Sequence, residues 1–162
     1  MTGDYDNPNS ENHLDTTNDT SFVLSVHDNQ LLGYMVDGPA RRITLRTVYE
    51  FPDREPEYTN VVFEGVFVYH FAGDTLNTIL FDVEETTLEA VWDGFEAVFT
   101  KYKNYGWPPV SYADRDDLLR QLHEKQIKAF GVVSSYGMEG FVWAQSMTMK
   151  KATNTDNTSQ PR

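Results

Sequence analysis

Apolar residues recur at alternate positions from residue 41 onward. Ile43, Leu45, Tyr49 and Phe51 share one side, and Arg42, Thr44, Arg46 and Glu50 share the other. Period two with one polar side predicts a half-buried strand of an antiparallel sheet. Two shorter runs precede it. Residues 22–26 read as an edge strand, and residues 31–36 as a strand stopped by the Asp37-Gly38-Pro39 turn. The stretch from Thr59 to Glu85, TNVVFEGVFVYHFAGDTLNTILFDVEE, predicts two further strands joined by a loop at 72–77. Val61, Phe63, Phe67, Tyr69 and Phe71 fall on one face, with Val62, Glu64, Val66, Val68 and His70 on the other. The returning segment places Ile79, Phe81 and Val83 opposite Leu80, Asp82 and Glu84. Pairing Phe71 with Ile79 keeps both faces consistent, whereas a one-residue slip mixes them.

The period then changes. Leu88, Val91, Trp92, Phe95, Val98, Phe99 and Tyr102 follow helical spacing, and Thr86 with Glu89 three residues on predicts a capping box. Tyr105-Gly106-Trp107-Pro108-Pro109 ends that helix. Ser111 is positioned to cap a second helix carrying Asp114, Asp116 and Asp117 in its first turn and Leu118, Leu119 and Leu122 on its apolar side. Residues 127–134 read as a strand, 136–140 as a turn, and 141–149 as a closing strand with Phe141, Trp143, Met147 and Met149 on one face. A β-meander, two helices and a C-terminal β-hairpin predict an α+β fold with a mainly antiparallel sheet and helices on one face. The face bearing Phe63, Phe67, Tyr69, Phe71 and Phe81 is the one expected beneath the helices.

Composition narrows the picture. Residues 1–21 and 151–162 are poor in large apolar side chains and read as disordered tails, leaving residues 22–150 as one domain. Of the net charge of −12, the first tail carries −5 and residues 22–150 carry −8. Such a domain repels phosphate backbones and anionic lipid, which argues against nucleic-acid or membrane partners and leaves a basic protein or a cation as fitting ones. Without cysteine there is no disulfide, thiolate zinc site or cysteine nucleophile. No apolar run approaches membrane-spanning length and no secretory leader pattern opens the chain, so a cytoplasmic location is expected.

Two groups of residues are candidates for chemistry or recognition. Glu64, His70, Asp82 and Glu84 are of the types that hold a hard or borderline divalent cation, or that raise one another's pKa for acid–base work. Their spacing matches no ligand motif, and a solvated sheet face is the preferred account of them. HExxH, G-x-S-x-G and phosphate-loop patterns are absent, so no catalytic residue is assigned and no cofactor is expected. On the same predicted face, Val66, Val68 and Leu80 ringed by Glu64, Asp82 and Glu84 have the anatomy of an interface for a basic partner. Cover by the N-terminal segment or by a homodimer mate is the alternative. Tyr105, Trp107 and Tyr112 flank the interhelical loop, as binding anchors or as side chains packed on the sheet.

The segments FEGVFVYHF, NTILFDVEE, YGWPP and IKAFGVVSSYG, followed by a Trp-containing final strand, resemble a set of small bacterial α+β proteins. In size, acidity and layout the chain is also similar to immunity proteins of bacterial toxin systems. The likeness covers about residues 30–149 and carries no residue-level functional motif. It implies a bacterial, non-enzymatic protein-binding module that neutralises a basic toxin domain. As loop aromatics with polar handles, Tyr105 and Trp107 are counted with the predicted interface. A metal-dependent enzyme or small-molecule binder built on Glu64, His70, Asp82 and Glu84, and a homo-oligomeric structural protein, are the competing expectations.

Overall fold

The structure is a computed structural model describing residues 24–153, so the first tail, residues 22–23 and residues 154–162 lie outside it. Eight strands occur in chain order. They are β1 (Gln30–Asp37), β2 (Arg42–Tyr49), β3 (Glu57–Glu64), β4 (Val68–Ala72), β5 (Ile79–Thr86), β6 (Lys128–Tyr136), β7 (Glu139–Ala144) and β8 (Ser146–Ala152). Helices α1 (Leu88–Tyr102) and α2 (Arg115–Glu124) separate β5 from β6. All strand pairs are antiparallel, in the order β4-β7-β6-β5-β1-β2-β3-β8. The fold is α+β with a mainly antiparallel sheet.

The sheet rolls up on itself. The β3–β8 pairing ends at Glu64 opposite Ser146, and the β4–β7 pairing begins at Val68 opposite Trp143. Between them, Gln145 N–H donates to the Glu64 carbonyl at 3.0 Å and Phe67 N–H to the Trp143 carbonyl at 2.8 Å. Thus β3 and β4 are two halves of one bent path, and β7 and β8 two halves of another. Gly65, at φ +63, makes the first bend in a region that side-chain-bearing residues rarely adopt. The rolled sheet encloses Leu31, Ile43, Leu45, Val61, Phe63, Leu80 and Phe130, with Tyr34, Tyr69 and Phe71 packed against them. Phe63 and Phe130 lie on strands that do not pair, yet their rings meet at 5.7 Å.

The closed roll corrects several expectations. Phe63, Tyr69 and Phe71 are covered by the opposing wall of the sheet, not by helices. The helices pack against the outer side of the β4–β7–β6 region, where Val68, Phe141, Trp143 and Ala129 meet Leu88, Val91, Trp92, Phe99 and Leu122. Strands β4 and β5 do not form the expected hairpin: β4 pairs with β7, while β5 pairs with β6 and touches β1. The 73–78 loop crosses the structure, anchored where the buried Thr78 hydroxyl donates to the Thr75 carbonyl and accepts Met138 N–H. The predicted closing strand is broken at Gln145. Phe141 and Trp143 therefore lie under the helices, while Met147 and Met149 reach the interior. Strand β8 runs to Ala152, two residues past the domain boundary drawn at 150. Residues 24–26 are not a strand, and Val26 plugs the interior.

Both helix caps lie beyond the predicted ones. Thr86 belongs to β5, and the Thr87 hydroxyl accepts Ala90 N–H at 3.0 Å. Asp114, rather than Ser111, caps α2 by accepting Asp117 N–H at 2.9 Å. Among the described residues, no helix is long and apolar enough to cross a membrane.

Candidate functional site

The predicted interface does not assemble. Leu80 and Val66 face the interior of the roll, and Val68 is buried beneath the helices. Glu64 is exposed at the end of β3, where Arg42 holds it at 2.8 Å. Asp82 and Glu84 lie on β5, separated from Glu64 in the sheet by β1 and β2. His70 is in neither group. It lies under the α1 side of β4, its ring 5.8 Å from Phe95 and 6.3 Å from both Trp107 and Phe141. Among the described residues, no three His, Asp or Glu side chains converge in a way that could hold a metal ion. Tyr105 is 82% exposed, whereas Trp107 stacks on Phe99 at 5.2 Å and Tyr112 is buried against Trp92. The two flanking aromatics that fall inward hold the interhelical loop to the helix layer.

His70 gives this packing a pH signature. Burial among the three rings lowers its pKa below the usual 6.5. Its charged form is disfavoured in the folded state, so protonation pulls towards unfolding once the pH falls below the ordinary histidine value. We expect His70→Phe to lose less stability than the native chain between about pH 7.5 and pH 5 in paired denaturant titrations. Parallel curves for the two proteins would show that His70 is not the group responsible.

Two surface features take the place of the predicted one. The first is the outer face of β5–β6–β7. The β5–β6 register shifts between Leu80 and Asp82, so Leu80 and Val83 both point inward while Phe81 stays outside at 50% exposure. Val133, 45% exposed, sits opposite Asp82, and Glu84 sits opposite Gly131. Val132 pairs with Gly140 on β7, so the exposed Glu139 lies one step further along beside Val133. The His27 ring rests on Phe81 at 4.8 Å. Strict alternation had assigned Phe81 to the core. The signal against that assignment was the spacing of Leu80 and Val83, three apart and both apolar, which no regular strand buries on one side.

The second is a cleft of about 270 Å³ at the bend between β3 and β4. Its walls come from three separate loops or strand ends. Val36 and Arg41 flank the β1–β2 turn, Val66 and Tyr69 flank the bend, and Trp107 and Pro109 belong to the interhelical loop. A second depression shares Arg41, Val66, Phe67 and Pro109 with it and adds Lys125, Ile127 and Gln145. Nothing in the spacing of these residues along the chain announced the cleft. Compared with known proteins, the chain matches no family model, no curated protein and no solved structure.

Proposed function

We propose that the chain is a non-enzymatic binding module whose outer β5–β6–β7 face receives a basic protein, in the manner of an immunity protein occluding a toxin domain. One observation carries this reading. Two solvent-exposed apolar side chains, Phe81 and Val133, are bracketed by Asp82, Glu84 and Glu139. Glu84 and Glu139 have no ion-pair partner among the described residues, so both are open to a cation from outside. An apolar centre with a charged rim is how protein interfaces divide affinity from steering. The −8 carried by residues 22–150 adds long-range attraction for a basic surface, which salt screens over about 8 Å at physiological strength. A two-fold dimer through this face would bring the three carboxylates against their own images, which disfavours a second copy as occupant. The expected cytoplasmic location suits such a role.

Cytochrome c, a compact basic protein, serves as the probe. Titrated into isotope-labelled protein at low salt, it is expected to shift the backbone amides of Phe81, Asp82, Glu84 and Val133 first. Reversing Asp82, Glu84 and Glu139 to Lys should slow association about tenfold or more while leaving the fold unchanged. A shift map centred on α2 or on the 50–57 loop, or association unaffected by the three reversals, overturns the assignment of this face.

A further inference from the structure

We propose that the cleft beside Trp107 binds a small aryl carboxylate, a single aromatic ring carrying one negative charge. Arg41 is the residue that points to this chemistry. Its backbone is in the left-handed region at φ +52, which turns its side chain onto the β3–β4 bend. There three hydrogen bonds hold the residue, one through its main-chain carbonyl and two through its guanidinium. Val66 N–H donates to the Arg41 carbonyl at 2.9 Å, Arg41 Nε donates to the Val66 carbonyl at 3.0 Å, and Nη2 donates to the Gly65 carbonyl at 3.4 Å. Those acceptors are neutral. Among the described residues, no carboxylate pairs with the Arg41 guanidinium, and Nη1 has no acceptor. The charge is thus held in place and left uncompensated, in a chain whose net charge is −12.

The other ionic groups on the cleft wall are already engaged. Arg42 is paired with Glu64 at 2.8 Å, and Asp37 accepts Ala40 N–H at 3.0 Å. Asp37 still places a carboxylate on the wall, which favours a monoanion over a phosphate dianion. A guanidinium held in advance suits a carboxylate, because its parallel N–H groups match the two oxygens and little further ordering is required. The rest of the lining is apolar and partly aromatic: Val36, Val66, Phe67, Tyr69, Trp107 and Pro109. Flat rings on such walls favour a flat ligand. At about 270 Å³ the cleft lies below the roughly 300–1,000 Å³ of common ligand pockets, which admits one ring rather than a nucleotide or a long acyl chain. No residue of the cleft belongs to the β5–β6–β7 face, so this proposal and the protein-binding one stand or fall separately.

The test uses phenylacetate, with phenylacetamide as its uncharged counterpart, titrated into isotope-labelled full-length protein. Phenylacetate is expected to bind with a Kd on the order of 0.1–1 mM, shifting the amides of Val36, Gly38, Val66, Tyr69 and Trp107. Phenylacetamide should bind at least about fivefold more weakly. Arg41→Met should bring the two affinities to within about twofold, and Val36→Trp, which fills the cleft without touching the three Arg41 bonds, should abolish both. Should Arg41→Met fail to fold, the acid-to-amide ratio in the native protein and the loss in Val36→Trp decide the matter. Equal binding of acid and amide to the native protein, shifts centred away from the cleft, or no saturation by about 10 mM would each overturn the proposal.

Discussion

Gly140→Ala should destabilise the protein by more than about 3 kcal/mol and can abolish folding outright. Gly140 is paired on both sides, with Phe71 of β4 and Val132 of β6, and it is buried. A methyl group added there would land on the His70 carbonyl oxygen and lie 2.9 Å from the His70 carbonyl carbon and 3.0 Å from Phe71 Cα. These are backbone atoms of a paired strand, and no rotamer change moves them aside. Relief requires β4 to separate from β7, which strips the pairing that closes the roll beside the helices. Far-ultraviolet circular dichroism and urea titration check the outcome. A stability loss under about 1 kcal/mol would mean that β4 shifts freely and that the β4–β7 pairing contributes little. Gly131, where an added Cβ meets nothing within 4 Å, supplies the control, since Gly131→Ala should be far milder.

Phe99→Ala should cost about 3–5 kcal/mol, a large share of the roughly 5–15 kcal/mol by which a domain is stable. Phe99 is fully buried near the C-terminal end of α1, where rings converge on it. Trp92 lies at 4.9 Å, Trp143 at 5.0 Å, Trp107 at 5.2 Å and Phe141 at 5.7 Å. Stacked and tilted pairs of this kind add to the area that the ring buries. Removing the ring leaves a cavity walled by rigid indoles, which cannot collapse as aliphatic side chains do. All three tryptophans of the chain touch Phe99, so tryptophan fluorescence should change along with the denaturation midpoint. Phe99→Leu should recover more than half of the loss. If Phe99→Ala cost less than about 1 kcal/mol, the aromatic layer could not be what fastens α1 to the sheet.

Where one side of an element meets water, the chain declares its structure openly. Strand β2 alternates from Arg42 to Arg46, where its outer side is the less buried one, and the pairing of Ile43 with Phe63 and Leu45 with Val61 puts the expected apolar residues inside. Helix α1 has the predicted period, and its cap differs by one residue because Thr86 and Thr87 are both chemically competent. The bends were not legible. Gly65 and Gln145 interrupt what read as continuous strands, and each changes which side the following residues face. The hairpin between β4 and β5 was inferred because neighbouring strands in sequence usually pair, a tendency that a closing sheet overrides.

The same limit hid the site. Val68 and Leu80 are both apolar and both covered, one by helices and one by the opposite wall, and alternation does not say which cover a face receives. Phe81 was assigned inward because a bulge is not visible in a two-residue period. The placement of Arg41 is not marked in the sequence, because backbone carbonyls hold it, and every sequence contains those.

The joining of β3 to β8 also fixes an order of events. Glu64 pairs with Ser146 and Tyr58 with Ala152, so the roll is closed by positions far apart in the chain. Strand β8 is synthesised after every other described strand, and β3 has no other partner on that side. Until β8 arrives, the nascent chain leaves one side of β3 unpaired from Tyr58 to Glu64. That interval is when a stray strand could take the place reserved for β8, which makes the C-terminal strand a guard against mispairing as well as a wall of the finished fold.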